Sequence, residues 1–276
     1  MTLMNPRYTL SILCLGIAAV MAPGCSDTTS PQQKVTPPDT AHYVTTFDLK
    51  TVAGTAPFML DSEMTTESGV RYKPSALRFY VSQFSLLDSA GNPVEATLVD
   101  TAGIPLKYNL TFCDYVNPET QVVRFLARKG TYTGATFSIG VPSDPVDGTG
   151  FNHVDASQQT YPLNVDNDMY WGWNPGYIFF KIEGLAMVNK SWESFYYHVG
   201  TDGRLASIQL ATPFTVKGAG RAATMLVNTN RLFVTPSGGA FPNPGGALSD
   251  RVVNSGRLAD TVARNLAKSG FITLQP

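Results

Sequence analysis

The chain has 276 residues, a formal net charge of −1 and only 15% charged residues. That near-neutral balance excludes the basic surface that nucleic-acid binding requires. Low charge combined with 11% aromatic residues, 24 glycines and 19 prolines fits a β-rich, turn-rich exported protein.

In chain order, Arg7 precedes an apolar run over residues 10–21 that is too short to span a bilayer as a stable helix. The run ends in Ala22-Pro23-Gly24-Cys25-Ser26, a small residue followed by cysteine, as in a bacterial lipoprotein signal. Ala22 stands where leucine is usual in that signal. The expectation is a signal peptide over residues 1–24 with Cys25 as the lipidation site. The protein would then be a periplasmic or cell-surface lipoprotein of a Gram-negative-type bacterium, held at the membrane by its N-terminal lipid. An ordinary secretory signal without an anchor is the alternative. Residues 25–40 are polar and proline-rich and read as a flexible tether. Residues 41–276 read as one β domain. Cys14 leaves with the signal and Cys25 carries lipid, so Cys113 has no disulfide partner. It reads as a small buried hydrophobe, with copper ligation as the lesser alternative.

Strands are predicted over residues 43–49 and 77–86. In the second, Leu77, Phe79 and Val81 share one face while Phe84 and Leu86 have the opposite parity, so a bulge near Ser82-Gln83 is expected to restore the inward aim. Ala90-Gly91-Asn92-Pro93 marks a turn. Further strands are predicted over residues 132–141, 177–182, 195–199, 205–210 and 225–234, separated mostly by glycine and proline. The fold class expected is mainly β, an antiparallel β-sandwich-like domain with long loops and a C-terminal helix. The helix is placed at residues 257–268, with Leu258, Val262 and Leu266 at four-residue spacing and Gly270 as its stop. Residues 236–246 read as a loop.

The stretch Met169-Tyr170-Trp171-Gly172-Trp173-Asn174-Pro175-Gly176-Tyr177 holds two of the three tryptophans. Two of the three histidines flank it, His153 and His198. Imidazole is the commonest neutral metal ligand and suits copper, although each histidine taken alone fits a structural or exposed role. In a strand, Trp171 and Trp173 share a side. They could be core, a stacking platform, or a redox-active pair beside a metal. Asp144, Asp147, Asp155, Asp166 and Asp168 lack EF-hand spacing and read as a solvated, Asx-turn-rich loop rather than a calcium site. Hydrolase, P-loop, dinucleotide and zincin motifs do not occur, so no catalytic residue is assigned and the protein reads as a non-enzyme.

Together, the stretch Leu77-Arg78-Phe79-Tyr80-Val81-Ser82-Gln83-Phe84, Gly130-Thr131-Tyr132, Phe137-Ser138-Ile139-Gly140-Val141, Asn152-His153, Met169-Tyr170-Trp171-Gly172-Trp173, the run from Gly176-Tyr177 to Glu183-Gly184, and Tyr197-His198-Val199-Gly200 resemble the MbnP-like copper-binding proteins. That family is associated with methanobactin gene clusters and with MauG-like or MbnH-like di-haem partners. The resemblance implies a largely β, periplasmic or surface protein binding Cu(I) through histidines next to a tryptophan oxidised to kynurenine by the di-haem partner. Carried onto this chain, it implies His153 and His198 as ligands and Trp171 or Trp173 as the modified residue, with a slight lean to Trp173. Met169 is a soft donor candidate, though packing suits it better, and Tyr170 and Tyr177 line the site. Tyr170 stands where a further histidine would be sought. Thr201-Asp202-Gly203-Arg204 stands where a family cysteine is often found, so a disulfide there is not expected. The function implied is copper acquisition or storage. The competing readings are a glycan-binding β-sandwich stacking sugars on Trp171, Trp173 and Tyr177, and a scaffold lipoprotein with no metal.

Overall fold

Apolar side chains at every second position bury one face of each strand, and two such faces build the core. In the computed structural model, which describes residues 40–143, 151–172, 175–234, 242–268 and 270–276, the fold is carried by β1 (His42–Ala53), β2 (Arg71–Leu87), β3 (Leu110–Asp114), β4 (Val122–Arg128), β5 (Gly134–Ile139), β6 (Tyr170–Gly172), β7 (Gly176–Val188), β8 (Ser191–Gly200), β9 (Ala206–Leu210), β10 (Gly220–Asn228) and β11 (Ile272–Gln275), with one long helix α1 (Gly256–Lys268). The expectations for the signal, Cys25 and most of the tether, for Asp144, Asp147 and Trp173, and for part of the 236–246 loop lie outside the described residues.

The smaller sheet runs β11–β10–β1–β4, and the larger runs β9–β5–β2–β7–β8 with β3 on the other edge of β2. Phe47 of β1 and Phe125 of β4 meet Phe84 of β2 between the sheets, with ring centroids 5.8 Å and 4.8 Å from Phe84. Such pairs add about 0.5–1.5 kcal/mol each to their area burial. Cys113 lies in this core, 3% exposed, and burial pushes its thiol pKa up. The mainly β class stands, but the sheets are mixed rather than purely antiparallel: β1 pairs with β10 in parallel. Parallel neighbours need a long connection, and more than half of the chain separates these two strands.

The bulge in β2 sits where the parity change requires it. Pairing with β5 shifts register between Ser82 and Ser85, and Gln83 adopts φ 52°. Phe79, Val81, Phe84 and Leu86 are all buried as a result. The strand expected over residues 225–234 ends early, at Asn228, whose side-chain oxygen accepts the Asn230 and Gly54 N–H groups and turns the chain into a 3-10 segment, Thr229–Phe233. Helix α1 buries Ala259, Val262 and Leu266, and its Asn265 donates to Leu232 O and Val234 O at 2.8 Å each.

β2 is 17 residues long and serves two partners along one edge. β7 pairs with it as far as Phe79, and β5 takes over from Val81. The first residues of β7 therefore leave β2 and bond instead to β6 and β8. A second apolar cluster, including Tyr80, Val141, Leu163, Met169, Tyr177 and Phe179, fills the space where the strands part.

Candidate functional site at the splayed end of the large sheet

Alternation along β7 turns Phe180 and Ile182 into the core and Lys181 and Glu183 to the opposite face. Register then decides their neighbours. Asp114, Arg78, Lys181 and His198 stand in one row across β3, β2, β7 and β8. Lys181 is 3% exposed. A lysine is seldom buried without partners, and this one has three acceptors: Asp168 Oδ2 at 2.6 Å, Asp168 O at 3.1 Å and Glu183 Oε1 at 3.2 Å. Arg78 holds the same Asp168 oxygen at 3.1 Å and Asp114 Oδ2 at 3.0 Å. His198 Nε2 meets Glu183 Oε1 at 2.6 Å. The hydrogen bond from His198 and the charge of Lys181 hold the Glu183 carboxyl below its ordinary range, against the opposing effect of partial burial. An ionised carboxylate only accepts hydrogen bonds, so Nε2 of His198 is the donor, and whenever the ring is neutral Nδ1 is its lone-pair nitrogen.

Trp171 lies beside this imidazole, with ring centroids 6.4 Å apart and planes 42° from parallel. β6 carries it, with Tyr170 opposite Tyr177 and Gly172 opposite Gly176. The indole packs on Gly200 at the end of β8. A Cβ there would stand 2.8 Å from Trp171 Cζ3 and 2.5 Å from Tyr177 O, so only glycine admits the ring.

His153 reaches the same end of the sheet by another route. It closes a 3-10 turn, Phe151–His153, and its Nε2 lies 3.3 Å from Asp202 Oδ2, two residues beyond Gly200. The buried Asn152 donates to Asp202 Oδ1 at 2.8 Å and accepts the Tyr177 N–H at 2.8 Å. Gly176 makes this possible, since a Cβ there would stand 2.3 Å from Asn152 O. His153, Trp171 and His198 are thus linked to one strand end through Asp202 and Gly200.

Other candidates have different surroundings. Met169 is fully buried in the second apolar cluster. Tyr177 is fully buried, and its hydroxyl donates to Leu163 O at 2.6 Å. Tyr170 is half-buried against it, ring centroids 4.8 Å apart. Sequence reasoning missed Lys181, Glu183, Asn152, Asp202 and Gly200. A signal for the first pair existed: Lys181 and Glu183 are the only charges in the otherwise apolar run from Tyr177 to Glu183.

The MbnP family model matches residues 42–244, which include every residue of this network. The chain belongs to the MbnP family. MbnP from Methylosinus trichosporium is similar in structure, with a TM-score of 0.56 and 19% identity over 79% of this chain and 82% of that chain. At that identity the likeness speaks for the fold. No curated protein matches the chain. Membership in the MbnP family points to a methanobactin-associated, copper-related protein. The donor chemistry suits such a metal. Each imidazole has its Nε2 against a carboxylate, His198 at Glu183 and His153 at Asp202, and neutral imidazoles are donors of the type Cu(I) accepts. Among the described residues, no group of three or more His, Cys, Asp or Glu side chains converges on a metal-sized site.

Proposed function

We propose that this MbnP-family protein is an exported, non-catalytic copper-binding protein that holds Cu(I) through His153 and His198 beside an oxidised tryptophan. It serves copper acquisition or storage, and its N-terminal lipid on Cys25 keeps it at the periplasmic or cell-surface face of a membrane. The observation that carries the reading is the His198–Trp171 neighbourhood, with Nε2 of the imidazole already committed to Glu183. Copper bound there would be a weakly coordinated soft cation. The residues of this chain would orient the imidazoles and shield one side of the ion with aromatic surface. Oxidation of the neighbouring indole to kynurenine by a di-haem partner supplies an amine and a ketone as further weak donors. Trp171, whose ring lies beside His198, is the indole we assign as the modified residue; Trp173 lies outside the described residues.

The test is copper analysis of the protein recovered after copper supply, together with intact-mass analysis. Wild type is expected to carry stoichiometric copper and a modified indole. His153→Ala and His198→Ala are expected to lose the copper, and Trp171→Phe to lose the mass change. Stoichiometric copper in both histidine variants would sink the reading. The glycan-platform alternative loses support, because Tyr177 is buried and one side of Trp171 rests on Gly200.

A further inference from the structure

We propose that Glu183 is a positioning residue that fixes the His198 imidazole as its Nε2–H tautomer and so presents Nδ1 to the metal, while Lys181 couples that carboxylate to the segment bearing Trp171. The inference deepens the copper reading and rests on His198 being a ligand. The 2.6 Å contact leaves Glu183 Oε1 one role, that of acceptor, and Nε2 one role, that of donor. Neither partner is free to turn away. Glu183 shares the same oxygen with the buried Lys181 ammonium at 3.2 Å. The imidazole also has two aromatic neighbours, the Trp171 ring at 6.4 Å and the Tyr196 ring at 6.2 Å between centroids, the latter at 74°. A carboxylate behind a ligating histidine fixes its orientation and raises its basicity. Glu183 itself is poorly suited to Cu(I), being a hard donor already engaged by two cationic or N–H groups.

Lys181 extends the arrangement to the indole. Its ammonium also binds the side chain and the carbonyl of Asp168, three residues before Trp171. Asp168 closes the 3-10 turn Val165–Asn167 in a left-handed conformation, φ 52° and ψ 41°, and this turn delivers the chain into β6. One buried ammonium therefore joins the carboxylate that aims the imidazole to the turn that delivers the tryptophan, and Arg78 gives Asp168 a second hold.

The experiment uses the whole metal-free protein with ¹⁵N-labelled histidine. Long-range ¹H–¹⁵N correlation is recorded at about pH 8, above the ordinary histidine range. Wild-type His198 is expected to show a protonated Nε2 and an unprotonated Nδ1. Glu183→Gln should lose that fixed preference, because an amide both donates and accepts, and Cu(I) affinity should fall by about 10- to 100-fold. Glu183→Asp, which keeps an acceptor-only group, should restore part of both. Lys181→Met should shift the Trp171 indole N–H resonance. An Nδ1–H tautomer or an imidazolium in wild type overturns the proposal, as does a Glu183→Gln protein with unchanged tautomer and copper affinity. Failure of the copper reading is separately visible, since His198→Ala would then leave copper binding intact whatever the tautomer signal shows.

Discussion

The two faces of β7 and β8 are built from the same backbone and behave as different materials. The inner face carries Phe180, Ile182, Phe195, Tyr197 and Val199, all fully buried. The outer face carries Lys181, Glu183, Tyr196 and His198, tied together by hydrogen bonds and ring contacts. Area removed from water stabilises the first, at about 25 cal/mol per Å² of apolar surface. Mutual satisfaction of charges defines the second, which adds little net stability but sets specific directions for donor atoms. The inner face gives the site its rigidity, and the outer face gives it its chemistry.

The largest expected effect comes from alkaline pH, which acts on the buried phenols of the core. Burial pushes the Tyr72 phenol up to about 12 and raises Tyr197 as well. A phenol whose pKa is raised by folding contributes stability that is complete below its ordinary value of about 10 and is lost as pH rises through the folded value. Tyrosine absorbance and circular dichroism should therefore show these two phenols ionising together with unfolding. Ionisation of Tyr72 in a still-folded protein would break the contrast between the faces. Next is Phe180→Ala, which empties a site packed against Phe79 and Phe271. It should cost about 3–5 kcal/mol in urea unfolding, while the His198 environment on the other face stays recognisable by NMR.

On the outer face, Lys181→Met should cost about 1–3 kcal/mol, a value moderated because the Asp168 side chain is 72% exposed and water replaces part of what it loses. A cost equal to that of Phe180→Ala would mean that the outer row carries the fold. Gly200→Ala should cost about 1–3 kcal/mol through overpacking, and it should displace Trp171, read as a change in tryptophan fluorescence. The smallest effect is expected from Trp192→Ala. This ring lies at the far end of the same face, with Lys73 Nζ 4.4 Å and Arg71 Cζ 5.6 Å from its centroid. Exposed cation–π contacts are worth about 0.5–1 kcal/mol, and the His198 resonances should not move.

Much of the architecture was readable from local pattern. The parity change in β2 located its bulge, the four-residue spacing located α1, and clusters of glycine and proline separated most strands. β3, β4 and β11 escaped, because short runs such as Leu110–Asp114 and Ile272–Gln275 carry too few alternations to stand out. The end of β10 escaped because one side chain, Asn228, ended it by capping the next turn. At the site, the histidines and tryptophans stood out by scarcity. Their supporting residues did not, since glutamate, lysine and glycine are common.

The amino-acid sequence by itself determined which residues alternate, where strands bend, and that two imidazoles flank a tryptophan-rich turn, because these follow from side-chain chemistry at short range. Only the tertiary structure decided that Lys181 faces His198 across two strands, that Glu183 holds Nε2, and that Asp202 brings His153 to the end of β8. Strand register and loop return are set by packing summed over the whole core, so no local stretch of the chain contains them.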